Sequence, residues 1–213
     1  MILETITVGA LQVNCYLLGC TQTRQAVVID PGDNAPAIRA ALRKHGLTLA
    51  AILATHAHFD HVLAGRPLQA AIGAPFHLHP AERPLLAMMR GMTLAWLGHD
   101  PGDPPQVGGE LAPGQAVVFG AETLEARATP GHSPGGVTFV HHASRCVFTG
   151  DALFAGGIGR TDLPGGNLPA LLAAIRSQIL TLPDDYIVLP GHGPASTVGA
   201  ERQSNPYLSE DGW

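Results

Sequence analysis

The 213-residue chain has a single lysine, Lys44, and only 14% of its residues are charged. Its 12 basic residues stand singly and the formal net charge is -5, so no basic stripe tracks a phosphate backbone, which argues against nucleic acid as a partner. Three cysteines (Cys15, Cys20 and Cys146) are too few and too odd a set for a disulfide framework, and fit a reducing cytoplasm. No apolar run reaches the ~20 residues of a membrane helix, and Glu4 stands where a signal peptide would be basic. A cytoplasmic protein without a membrane partner is expected. Against this scarcity stand 46% hydrophobic residues, enough for a sizeable core, and 11 histidines, which ask for a chemical reason.

Short apolar runs closed by Gly, Pro and Asp predict strands at Ile2–Val8, Asn14–Leu18 and Ala26–Ile29. Asn34 is placed to cap a helix running to His45, with Gly46 as its stop. A buried run over Leu49–Thr55, a helix over His61–Ile72, a strand over Pro75–Leu78 and a helix over Ala81–Arg90 follow. Gly91–Pro105 reads as a long loop that either tucks Trp96 into the core, the favoured reading, or presents it as a wall of a pocket. Strands over Ala116–Phe119, Thr123–Ala128, Val137–His141, Arg145–Thr149 and Tyr186–Leu189 surround a helix over Leu168–Ile179. Without regular βαβ alternation, the pattern predicts two packed sheets with helices outside. No linker interrupts it, so residues 1–213 read as one domain.

The densest chemistry is Thr55-His56-Ala57-His58-Phe59-Asp60-His61, directly after an apolar strand. In extended chain, residues two apart face the same way, so His56, His58 and Asp60 converge, with His61 at the start of the next helix. Only a cation makes such crowding of imidazoles favourable. Three later sites repeat one design: an apolar strand, a small-residue turn, then one donor, giving His132, Asp151 and His192. Five histidines and two aspartates exceed what one zinc takes, and two metals with Asp151 as the shared carboxylate account for all seven. Gly131-His132-Ser133-Pro134-Gly135 also matches a nucleophile elbow, with Asp151 or Asp184 and His192 following. Pro134 lacks the N–H that an oxyanion hole needs after the nucleophile, which speaks against Ser133. The run Ala155–Arg160 lacks the Gly-Lys-Ser/Thr of a phosphate loop. His77 and His79 read as surface or capping residues, and His45, His99, His141 and His142 as surface.

The His-x-His-x-Asp-His string, the later Gly-His, the Thr-Gly-Asp and the last Gly-His resemble the metallo-β-lactamase superfamily, in family order. The resemblance implies an α/β fold, a four-layer αβ/βα sandwich. It also implies that His56, His58 and His132 bind one divalent ion and Asp60, His61 and His192 a second, with Asp151 bridging. Within the superfamily, Val13-Asn14-Cys15-Tyr16, Asp30-Pro31-Gly32, Gly159-Arg160-Thr161-Asp162, Pro190-Gly191-His192-Gly193-Pro194, Glu201-Arg202 and Asn205-Pro206-Tyr207-Leu208 resemble short single-domain glyoxalase II-type thioesterases. Arg160 and Asp162 stand where that family has Lys-x-Tyr. The implied activity is hydrolysis of a small-molecule thioester such as S-lactoylglutathione, with Asp60 and Asp151 the carboxylates at the reacting centre. Two divalent metals are implied, zinc the leading choice and iron or manganese the alternatives. Arg160 and Trp96 are the candidates for substrate contact, Arg160 weighed equally against an ion pair with Asp162. The alternatives on this fold are a persulfide dioxygenase, with one iron on His56, His132 and Asp151, and a lactonase.

Overall fold

The computed structural model describes residues 1–208. The chain forms two compact units: residues 1–111 with 117–123, and residues 112–116 with those from 124 onward. No helix among the described residues is long and apolar enough to cross a membrane.

The first unit is built on a six-stranded sheet of order β1-β2-β3-β4-β5-β6. Its strands are β1 (Ile2–Val8), β2 (Val13–Gly19), β3 (Gln25–Ile29), β4 (Thr48–Leu53), β5 (Phe76–Leu78) and β6 (Val107–Glu110). The first three run antiparallel, whereas β3, β4, β5 and β6 are parallel neighbours. This parallel half departs from the expectation of no βαβ alternation. Helices α1 (Ala35–Lys44), α2 (Phe59–Val62), α3 (Gly65–Ile72) and α4 (Arg83–Leu97) are the crossovers that parallel pairing requires. Ile38, Leu42, Leu68, Leu86 and Met89 of the helices bury against Val28, Ile52 and Phe76 of the sheet. The near-continuous burial of β2, β3 and β4 explains why they read as unbroken apolar runs.

Local chemistry sets several boundaries. The Asn34 side chain accepts from Ala37 N at 3.3 Å, as a cap should, and Pro36 fits the first turn of α1. The helix expected over His61–Ile72 is two helices, and His61 is the third residue of α2 rather than a helix start. The expected loop from Gly91 is helical as far as Leu97, because no proline interrupts Met88–Leu97, and Gly98 in the left-handed region ends it. Trp96 therefore lies on α4, 56% exposed, its ring 6.2 Å from that of Phe59; it is not tucked into the core.

The second six-stranded sheet has the order β14-β13-β10-β9-β8-β7. Its strands are β7 (Ala116–Phe119), β8 (Glu122–Ala128), β9 (Val137–His141), β10 (Cys146–Gly150), β13 (Ile187–Pro190) and β14 (Ser196–Thr197). A separate hairpin, β11 (Leu153–Phe154) with β12 (Gly157–Ile158), follows β10. Helix α5 (Leu168–Ala174) continues as a wider π turn over Ile175–Ile179, and α6 (Val198–Ser204) lies near the end. Leu171, Ile175, Ile179 and Val198 pack on Val140, Val147 and Val188. His141, expected at the surface, is buried, its Nδ1 accepting from Ser144 Oγ at 2.7 Å. His79 caps a short turn as expected, accepting from Ala81 N at 3.3 Å.

Candidate metal centre

In each unit, parallel strand ends bring the donors together. In the first, β3, β4 and β5 run parallel, so the residues that follow them leave one edge of the sheet. Asp30 follows β3, Thr55 to His61 follow β4, and Glu82 comes shortly after β5. Asp30 sits at φ 51°, a left-handed conformation that aspartate tolerates better than most residues. It is buried, and its carboxylate is a hub. Oδ1 accepts from Thr55 N at 2.7 Å; Oδ2 accepts from Thr55 Oγ1 at 2.7 Å and from His61 Nδ1 at 3.0 Å. Glu82, also buried, accepts from Ala57 N at 2.7 Å. The rings of His56 and His58 meet edge-on with centroids 4.7 Å apart, and His61 lies 4.2 Å from His56. Asp60 Oδ2 is 3.7 Å from His61 Nε2.

These bonds fix tautomers. Thr55 has one hydroxyl hydrogen, and it goes to Asp30, so toward His56 Nδ1, 3.0 Å away, the hydroxyl oxygen accepts. His56 therefore carries its proton on Nδ1, and so does His61, which donates to the carboxylate. With the Nδ1 proton so placed, Nε2 is the atom that the neutral form of each ring would offer a metal. An imidazole tied at one nitrogen by an oxygen acceptor is the arrangement that metal-binding histidines show.

In the second unit β8 is antiparallel to β9, β9 to β10, and β10 parallel to β13. Strands β8, β10 and β13 thus point the same way, and His132, Asp151 and His192 follow their ends at one edge. The same oxygen, Asp151 Oδ2, lies 3.6 Å from His132 Nε2 and 3.7 Å from His192 Nε2. His132 Nδ1 donates to the backbone oxygen of Arg160 at 2.7 Å, which again leaves Nε2 as the lone pair. His192 is the most open of the three, and the ring of Phe154 meets it at 6.4 Å.

All seven predicted ligands therefore gather in two clusters, four in the first unit and three in the second. The donor chemistry, imidazole and carboxylate, with Nδ1 of His56, His61 and His132 tied to oxygen acceptors, fits a divalent cation. Ser133 does not fit a nucleophile. Its hydroxyl is buried and has no hydrogen-bond partner, so no base is in reach to activate it.

The substrate candidates fare differently. The Arg160 guanidinium grips Asp162 through two bonds of 2.7 Å, and that pairing holds the Asp162 carboxyl down at about 2. Of the two readings weighed for Arg160, the ion pair is formed. Beside Asp60, a depression is lined by Leu11, Val13, Leu63 and Leu97, so the wall sought at Trp96 belongs to its neighbour Leu97. Asp30, Thr55, Glu82 and the Arg160 carbonyl escaped sequence reasoning. Asp30 alone carried a signal: an apolar strand, then a donor, then Pro-Gly, the pattern that exposed the other strand-end ligands.

A family profile described as the Metallo-beta-lactamase superfamily matches residues 8–192. The chain belongs to that superfamily. Its fold is the metallo-β-lactamase fold, α/β with two mixed sheets. Hydroxyacylglutathione hydrolase GloC of Haemophilus influenzae is 34% identical over 98% of this chain and 99% of its own length. Among solved structures, BLEG-1 B3 metallo-beta-lactamase is 37% identical with a TM-score of 0.89, covering 98% of this chain and 100% of its own. TTHA1623, solved in a di-iron-bound form, is 41% identical with a TM-score of 0.88, covering 96% and 100%. With its superfamily membership and its His/Asp clusters, the chain is a metal-binding enzyme of the metallo-hydrolase type.

Proposed function

We propose that this metallo-β-lactamase superfamily member is a cytoplasmic dinuclear-metal hydrolase of a small-molecule thioester, S-lactoylglutathione or a related acyl thioester. Residues 1–213 act as one catalytic domain. His56, His58 and His132 hold one ion, Asp60, His61 and His192 the other, and Asp151 is shared. The observation that carries this reading is Asp151 Oδ2, which faces the Nε2 atoms of His132 and His192 at nearly equal distance. Those histidines are assigned to different ions, and a bridging carboxylate needs that placement. The name of GloC supports the thioester, and the di-iron form of TTHA1623 supports a pair of ions. Zinc is the leading metal, with iron or manganese as alternatives of the same donor preference.

When bound, the metals supply a water acidified toward neutrality and a Lewis acid for the carbonyl oxygen. The chain's residues do the rest. Asp30, Thr55 and the Arg160 carbonyl hold the histidine lone pairs in place before any ion arrives, so little reorganisation is needed on binding. Asp162 engages Nε and Nη2 of Arg160, so a substrate carboxylate would pair with the Nη1 edge of the guanidinium, and Trp96 is kept as a candidate at the rim. A thioester suits the carboxylate inventory. Asp30 is committed to Thr55 and His61, and Asp60 and Asp151 are assigned as ligands. A thiolate departs without a general acid.

The test is hydrolysis of S-lactoylglutathione by protein of counted metal content, beside Asp151→Ala. The variant is expected to lose at least one ion per chain and to fall to background turnover together. Full metal stoichiometry and turnover in the variant would contradict the bridge. Oxygen consumption with glutathione persulfide, without thioester hydrolysis, would move the activity to the dioxygenase.

A further inference from the structure

The segment Glu201-Arg202 with Asn205-Pro206 carries no ligand, yet Glu201 is a carboxylate only 3% exposed. Buried carboxylates are retained where their oxygens are used. Glu201 Oε1 accepts from Ser196 Oγ. Its Oε2 accepts from Gly156 N at 2.9 Å and from Asn205 Nδ2 at 2.7 Å. Asn205 Nδ2 also donates to Gly157 O at 3.1 Å. Gly156 and Gly157 are the tip of the β11–β12 hairpin. Helix α6 thus grips that tip twice, once through Glu201 and once through Asn205.

The hairpin and the residues flanking it border every proposed ligand of the second unit. It starts immediately after Asp151. Its Phe154 meets the His192 ring. Beyond β12 come Gly159 and Arg160, whose carbonyl takes the His132 proton at 2.7 Å. Gly159 is packed so tightly that a Cβ there would lie 1.9 Å from Asp151 O and 2.9 Å from His132 Nδ1. A hairpin this short is marginal by itself. Its two-residue strands supply few bonds to fix where Asp151 leaves and where the Arg160 carbonyl points, so the tip contacts decide it.

We infer that Glu201 and Asn205 are positioning residues that clamp the β11–β12 hairpin and thereby set the geometry of Asp151, His132 and His192 for metal. The inference rests on the metal-centre reading above.

The test compares four variants of the full chain for Zn(II) affinity, by competition with a chromophoric chelator. Glu201→Ala is expected to weaken binding about 10- to 100-fold, the effect of losing an outer partner of a ligand. Glu201→Gln keeps an oxygen for Gly156 N and Asn205, while its amide faces the Ser196 hydroxyl oxygen, and should restore near-normal affinity. Ser196→Ala and Asn205→Ala each remove one bond to Glu201, but only Asn205 reaches the hairpin. Asn205→Ala should lower affinity and Ser196→Ala should leave it within about twofold, a contrast that holds even where Glu201→Ala fails to fold. Equal effects of the last two, or normal affinity in Asn205→Ala, would overturn the clamp while leaving the metal centre standing. A wild-type protein that takes up neither zinc, iron nor manganese would overturn both. Zinc binding that tracks the clamp without thioester turnover would remove only the proposed substrate.

Discussion

The first unit draws its ligands from one contiguous string, His56 to His61, whereas the second draws three from strand ends spread between His132 and His192. The two solve the same problem by different means. In the first unit two buried carboxylates hold the string from within: Asp30 binds Thr55 twice and His61 once, and Glu82 takes the Ala57 N–H. In the second a hairpin and the residues flanking it border the three ligands, and its tip is held by Glu201 and Asn205. A contiguous string can be held by anchors bonded directly to it, while scattered donors need a scaffold that spans them.

The sharpest way to break this contrast is Asp30→Ala. It leaves the buried Thr55 N–H and the His61 Nδ1–H without acceptors, and should cost about 3–5 kcal/mol of stability. At 2–4 °C per kcal/mol for a chain of this size, Tm should fall by roughly 10 °C, measured by calorimetry on metal-free protein. A loss under about 1 kcal/mol would mean that Asp30 does not anchor the string. The smaller effect comes from a feature the units share. Gly32 and Gly159 each press on the backbone of a proposed aspartate ligand: a Cβ would lie 1.9 Å from Asp60 O in one case and from Asp151 O in the other. Gly32→Ala and Gly159→Ala should each cost about 1–3 kcal/mol, since overpacking forces the neighbour to move. Denaturant unfolding of the pair checks this. Similar penalties sharpen the parallel, and a free substitution at either site breaks it.

Legibility in the sequence followed the same division. The contiguous string announced itself by density, because four donors within six residues have no packing explanation. His132, Asp151 and His192 were legible only through a repeated pattern of strand, small-residue turn and donor. Asp30 obeys that pattern and was nevertheless read as a turn, since Asp-Pro-Gly is ordinary turn chemistry and the partners that make it a hub are 25 and 31 residues away. The Arg160 carbonyl left no trace, because a backbone acceptor has no residue type. Most strands were legible from apolar runs. The parallel half of the first sheet was not, because pairing direction is not written in composition. Gly91 and Gly98 both suggest a loop, yet only Gly98 adopts the left-handed conformation that ends a helix, so α4 runs past the expected end at Arg90.

The central claim is that both clusters serve one pair of ions. The measurement that tests it most directly is a crystal structure of protein loaded with zinc, with ions located by anomalous scattering. The account predicts two ions per chain about 3.5–4 Å apart, each held by side chains of both units, with one Asp151 carboxylate touching both. Ions held by one unit alone, or a single ion that leaves Asp60 and His61 uncoordinated, would contradict it.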